Sequence, residues 1–195
     1  MENINQIFLI GMMGSGKSST GKALADSLNW TFYDIDNELE KDHNLSISDM
    51  FINGEPQFRE QETKKLKEIA LKDCIVCSTG GGIVLDESNH EILKQSFCVY
   101  LYASIDSLCQ RLEHDDSRPL LSNGNKREAL QNIFEDRQSR YETLSTIKID
   151  TNNSSICLLY TSPSQRDRRS SRMPYSGLKK KEWVGGGGVG GGGGG

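Results

Sequence analysis

GMMGSGKSS, residues 11–19, follows directly on the apolar run Ile7-Phe8-Leu9-Ile10 and opens a helical pattern. Gly11, Gly16, Lys17 and Ser18 satisfy G-x-x-x-x-G-K-[ST], and they stand where that pattern has a mechanism, between a strand and a helix. Glycines let successive backbone N–H groups turn inward around phosphate, and the helix that starts at Lys17 presents its positive N-terminus to the same anion. The Lys17 ammonium is expected to reach the β- and γ-oxygens, and the Ser18 hydroxyl to ligate Mg2+. The stretch therefore reads as a loop that holds a nucleoside triphosphate. Its candidate nucleotide-binding residues are Gly11, Met12, Met13, Gly14, Ser15, Gly16, Lys17, Ser18 and Ser19.

Outward from the loop, short apolar runs alternate with longer helical patterns. Strands are expected at 7–10, 31–36, 74–79, 97–103 and 147–150. Helices are expected at about 17–28, 37–43, 48–70, 86–95, 105–113 and 125–142. This order predicts an α/β fold with a mostly parallel five-stranded sheet flanked by helices, and such sheets hold ligands at the carboxyl ends of their strands.

Length and composition bound the rest. A chain of 195 residues accommodates one domain with a real core. Beyond residue 155 there are 7 Lys/Arg against 2 Asp/Glu, so with a net charge of −4 overall the preceding residues carry −9. An acidic body argues against a nucleic-acid surface while leaving room for a local cationic pocket. There is no run of 18 apolar residues, and the first apolar stretch is too short for a signal-peptide core, so a cytoplasmic protein without a membrane span is expected. The five cysteines are an odd number, which favours free thiols. Cys74-Ile75-Val76-Cys77 reads as a buried strand rather than a metal or redox site, and His43, His90 and His114 lack metal-ligand spacing. Residues 156–195 show no periodicity, carry a basic run and end in ten glycines interrupted by Val189. They read as a disordered, non-native appendage from adapter, vector or frameshifted sequence, in preference to an RNA-binding or membrane-touching tail. The folded domain is expected to span 1–155.

Further polar positions cluster at the same edge of the expected sheet. Asp34 and Asp36 in FYDID, two apart on a strand, would leave one face beside the loop and could hold hydrated Mg2+ and orient an acceptor hydroxyl. The alternative is that both merely end the strand and cap the helix that follows. In FINGEPQFREQE, residues 51–62, Arg59 and Glu62 are three apart on a helix, so that the carboxylate can fix the guanidinium. Gly80, Gly81 and Gly82 follow a strand and permit close approach of backbone to a small ligand. Arg118, in DDSRPLLSNGN, has the setting of a lid arginine for a transferring phosphoryl group, and Arg137 projects from a late helix. Two arginines, two aspartates and a glycine turn describe a pocket for a small acid with several hydroxyls.

Taken in order, GMMGSGKSS, DID, GEPQFREQE, STGGG, SRPLL and the R-x-x-x-Y of Arg137 to Tyr141 resemble the shikimate kinases, a family of P-loop kinases akin to the nucleoside monophosphate kinases. The likeness covers about residues 5–152. It implies a three-layer sandwich with a lid at about 112–124, and transfer of the ATP γ-phosphoryl group to the 3-hydroxyl of shikimate in aromatic amino-acid biosynthesis. It also implies ATP and Mg2+ as cofactors and a cytoplasmic monomer. By the same resemblance Lys17 and Ser18 handle ATP and the metal, Asp34 stands near metal and acceptor, and Asp36 binds shikimate hydroxyls. Arg59 and Arg137 take the carboxylate, the backbone of Gly80, Gly81 and Gly82 lines the ring, and Arg118 is the lid arginine. Lys17, Asp36, Asp34 and Arg118 form the catalytic set.

Two features differ from the family's usual pattern. Ser139-Arg140 stands where Pro-Leu is usual before the tyrosine, and the adenine-contacting turn and final helix do not follow IDTNN. A gluconate kinase is the nearest enzyme alternative. A nucleotide-binding protein without catalysis is the alternative of a different class.

Overall fold

The computed structural model describes residues 4–52, 54–113 and 125–152. All of these belong to the first of two units into which the chain divides, Met1–Tyr160. Arg118 and His114, with the greater part of the expected lid, and the tail from residue 156, with Cys157, lie outside the described residues.

Five strands, β1 (Gln6–Ile10), β2 (Thr31–Asp34), β3 (Ile75–Ser78), β4 (Phe97–Tyr102) and β5 (Ile147–Asp150), form one sheet in the order β2-β3-β1-β4-β5. Every pairing is parallel. The central strand β1 is buried from Ile7 to Ile10, as a parallel strand covered on both faces should be. Side-chain alternation divides its residues between two cores. Phe8 and Ile10 join Ile75, Cys77, Cys98 and Tyr100 on one face, against side chains of the helices α2 (Ile35–His43), α4 (Glu55–Ile69) and α7 (Lys126–Leu144). Ile7 and Leu9 join Val76, Val99 and Leu101 on the other, covered by Leu24, Ala25 and Leu28 of α1 (Lys17–Leu28). Each such side chain, once fully buried, contributes about 1.5–3 kcal/mol.

Gly21 lets α1 lie close on that face. A Cβ there would sit 2.6 Å from Phe32 Cε2 and 3.0 Å from Leu9 Cδ1.

The expected helix over 48–70 is two helices, α3 (Ile47–Ile52) and α4. Gly54, at φ +126°, stands outside the helical region, and Pro56, which has no N–H to give, fits in the first turn of α4. The expected helix over 86–95 starts as a 3-10 turn at Glu87–Asn89 and becomes α5 (His90–Gln95). After β4, α6 (Ile105–Arg111) begins with Ser104 as its cap, the hydroxyl accepting from Ser107 N. In the C-x-x-C stretch only Cys77 is buried in β3; Cys74 is exposed at φ +55°, just ahead of the strand. No group of three or more His, Cys, Asp or Glu residues able to hold a metal occurs among the described residues. No helix among them is long and apolar enough to cross a membrane.

Candidate active site

The phosphate loop occupies the gap between the end of β1 and the start of α1, beside β4. Gly11 has φ +143°, and a Cβ on it would lie 2.5 Å from the Leu101 carbonyl oxygen, so only glycine fits the point where the chain leaves the sheet. Gly16, at φ +92°, precedes α1 without a side-chain cap, and the first turn carries no acidic residue. No acidic side chain of α1 itself occupies the helix N-terminus, which leaves its first N–H groups for a phosphate. The buried Ser15 Oγ has no hydrogen-bond partner. Lys17 is only 8% exposed, and its Nζ donates to the carbonyls of Gly11 at 3.0 Å and Met12 at 2.9 Å. Two neutral carbonyls hold the ammonium at the rim of the loop, and phosphate oxygens would be stronger, charged partners for it.

Ser18 and Asp34 meet beneath this rim. The Ser18 hydroxyl donates to Asp34 Oδ2 at 2.5 Å and lies 3.4 Å from Ser78 Oγ. Asp34 ends β2, and its other oxygen, Oδ1, accepts from Asn37 N at 3.3 Å, so it is also the N-cap of α2. Asp36 is therefore not on the strand as expected. It belongs to the first turn of α2, because the cap turns the chain into helix one residue after Asp34. The pair reaches the site through a cap and a helical turn rather than through one face of a strand. A hydroxyl touching a carboxylate is a hard-oxygen donor set suited to Mg2+, which is usually held by one or two protein groups with waters and phosphates.

The glycine turn after β3 lies at the junction of all these parts. A Cβ on Gly81 would stand 3.4 Å from Met13 N and 3.5 Å from Gly11 O of the loop, and 3.8 Å from Arg137 Nη1. A Cβ on Gly80 would overlap Glu62 Oε1 and stand 3.1 Å from Asp36 Oδ1, while one on Gly82 would overlap the Arg59 guanidinium. Arg59, Asp36, Arg137 and the phosphate loop therefore converge on three consecutive residues without side chains.

Arg59 is held on several sides. Its Nη1 pairs with Glu62 Oε2 at 2.7 Å and its Nη2 with Glu55 Oε1 at 2.9 Å. Its guanidinium carbon lies 5.5 Å from the centre of the Phe51 ring and 5.2 Å from that of Phe58. The Arg59–Glu62 contact expected from helical spacing is present, but Glu62 is no surface partner. It is 1% exposed, and its second oxygen has no hydrogen-bond partner. Burial pushes its carboxyl up to about 7 against the pull of Arg59, and the neighbouring Asp36 adds to the rise. Arg137, 6% exposed, lies in α7, which runs unbroken through Ser139 and Arg140. Its Nε is buried without a partner.

Two contributors escape the motif reading. Arg111, at the end of α6, donates from Nη1 to Gly14 O at 3.3 Å and from Nη2 to Thr151 O, which puts a second cation against the loop. Thr151, just beyond β5, donates from Oγ1 to Tyr102 O at 2.9 Å, and the same hydroxyl lies 3.4 Å from Ser15 O. The signal for Arg111 was its place after β4, the strand beside β1. Such a position reaches the loop only once strand order is known.

The arrangement places an anion cradle with its own cation, a hard-oxygen pair, and a pocket rich in arginine and carboxylate on one sheet edge. The family model described as shikimate kinase matches residues 13–163, past the point where the motif likeness ends. A shikimate kinase of Chromobacterium violaceum is 40% identical over 154 residues, covering 78% of this chain and 84% of that one. The solved shikimate kinase from Acinetobacter baumannii in complex with shikimate superposes with a TM-score of 0.78 at 35% identity, over 81% of this chain and 89% of that one. A gluconokinase from Sinorhizobium meliloti, with a TM-score of 0.52 at 19% identity, shares the fold alone. The chain belongs to the shikimate kinase family.

Proposed function

We propose that this chain transfers the γ-phosphoryl group of ATP to the 3-hydroxyl of shikimate. The observation that carries the reading is the position of Gly81, where an added Cβ would stand 3.4 Å from Met13 N of the phosphate loop and 3.8 Å from Arg137 Nη1. Phosphoryl transfer asks for in-line positioning and neutralisation of charge more than for covalent help, so two subsites meeting at one turn are what the reaction needs.

In this reading Lys17 exchanges its loop carbonyls for phosphate oxygens and counters their charge. Ser18 and Asp34 would hold Mg2+, which when bound neutralises phosphate charge. Asp36 polarises the acceptor hydroxyl; full removal of its proton is not required in a loose transition state. Arg59 and Arg137 take the acid's carboxylate, and the glycine turn accepts the ring closely because it carries no side chains. Arg118, outside the described residues, is assigned by family resemblance to the transferring phosphoryl group. The same resemblance supports a cytoplasmic monomer with its catalytic domain in residues 1–155.

The test is ADP release in the presence of Mg2+ and ATP, with shikimate and gluconate offered side by side. Shikimate-dependent release, with gluconate at background, is the expected result. Release with gluconate alone would overturn the choice of acid, and release with neither would overturn the kinase reading of this polypeptide.

A further inference from the structure

The three glycine carbonyls beside the acid pocket are not held alike. Gly80 O accepts from Ile83 N at 3.3 Å and Gly82 O from Leu85 N at 2.9 Å, both within the turn itself. Gly81 O accepts instead from a side chain, the hydroxyl of Tyr141, sixty residues away on α7. Tyr141 is fully buried, and its ring stacks on that of Tyr100 with centroids 5.1 Å apart and planes at 24°. The same hydroxyl lies 3.9 Å from Met12 Sδ in the phosphate loop.

A carbonyl and the N–H that follows it belong to one rigid plane and point in opposite directions. Holding Gly81 O toward Tyr141 therefore turns the Gly82 N–H away from it. Glycine on both sides of that peptide supplies no Cβ to resist rotation of the plane, so an outside tie decides which way it faces. Gly82 packs against the Arg59 guanidinium, and Gly81 against Arg137. Arg137 and Tyr141 are four apart on α7, one above the other on the same face, so the tie also fixes how Arg137 addresses the turn. Burial raises the Tyr141 hydroxyl to about 12, which keeps it a donor at every working pH.

We propose that Tyr141 is a positioning residue for the acid substrate: its hydroxyl locks the Gly81–Gly82 peptide and the facing Arg137 in the arrangement that receives the acid. This rests on the reading above that the acid is shikimate. The hydroxyl meets the phosphate loop only through the weak acceptor Met12 Sδ at 3.9 Å, and the loop has the Ser15 N to Met12 O bond of its own, so the larger effect belongs to the acid side.

The test compares the unchanged chain with Tyr141→Phe and Tyr100→Phe. Tyr100 is the stacked neighbour, and its buried hydroxyl has no hydrogen-bond partner, so its removal reports on the core alone. KM for shikimate, KM for ATP and the melting temperature are measured for all three. Tyr141→Phe is expected to raise the shikimate KM about 5- to 10-fold, the size of one buried hydrogen bond. The ATP KM is expected to stay unchanged, and Tyr100→Phe to leave both constants as they are. An unchanged shikimate KM would overturn the role. So would a joint rise of both KM values shared with Tyr100→Phe, or a Tyr141→Phe chain that does not fold, since either marks a hydroxyl that serves the packing of the core alone. If the unchanged chain turns over shikimate and only the Tyr141→Phe result fails, this role falls alone. If the unchanged chain gives no shikimate turnover, the functional reading falls and this role with it.

Discussion

Glu62 Oε2 receives Arg59 Nη1 at 2.7 Å while its other oxygen stays buried without a hydrogen bond. One carboxylate thus restrains the arginine assigned to the substrate and carries an unmet desolvation cost of its own. With its folded-state value near 7 and an ordinary value of 4.5, Glu62 binds more protons in the folded chain than in the unfolded one between those limits. Its contribution to stability is therefore full below about pH 4.5 and is lost as pH rises through 7. Urea unfolding of Glu62→Gln, compared with the unchanged chain across pH 4.5–7.5, is expected to lack this downward slope. Parallel curves for the two chains would contradict the assignment.

Lys17→Ala removes the buried ammonium that donates to the loop carbonyls. Turnover is expected to fall by about 10³-fold or more, since charge neutralisation is the main protein contribution to phosphoryl transfer. Asp36→Asn is expected to abolish turnover while shikimate still binds, whereas Arg59→Ala mainly raises the shikimate KM. A fully active Asp36→Asn chain would remove Asp36 from the acceptor role.

Gly82→Ala keeps an ordinary backbone, because Gly82 has φ −97° and ψ 0°. The added methyl would overlap the Arg59 guanidinium, the far end of a long side chain that can swing away. Moving Arg59 off the buried Glu62 is expected to lower the melting temperature somewhat and to raise the shikimate KM with the ATP KM unaltered. Equal disturbance of both constants would speak against Arg59 facing the acid alone.

Gly21→Ala exchanges glycine for a better helix former and should still destabilise. The methyl would stand 2.6 Å from Phe32 Cε2 and 3.0 Å from Leu9 Cδ1, and Leu9 is buried in the packed face while Phe32 is only half-buried. The expected loss is about 1–3 kcal/mol by urea denaturation. A gain in stability would show that α1 can lift from the sheet without cost.

The loop and the layer order were legible in the sequence because their signals are local. An apolar run, a glycine-broken turn and a helical pattern are adjacent in the chain, and together they define β1, the loop and α1. The FYDID stretch departs from a continuous strand for a physical reason. Residues two apart share a face only while the strand continues, and Asp34 ends it by capping α2. Asp34 itself, a residue type that favours the N-cap and stands directly before a helical pattern, was the available signal. The break in 48–70 was likewise announced by Gly54 and Pro56, which the apolar periodicity on either side concealed. The burial of Glu62, the reach of Arg111 to Gly14 and the tie from Tyr141 to Gly81 were not legible. Each depends on packing between elements distant in the chain, and no spacing within a single element encodes it.

The account depends on two subsites sharing one rim, and a crystal structure of the chain with ADP, Mg2+ and shikimate tests that most directly. It should hold the nucleotide's phosphates in residues 11–18, the acid's carboxylate on Arg59 and Arg137, and a ring hydroxyl on Asp36 facing the phosphates. Shikimate bound elsewhere, or bound with its carboxylate toward the phosphate loop, would contradict it.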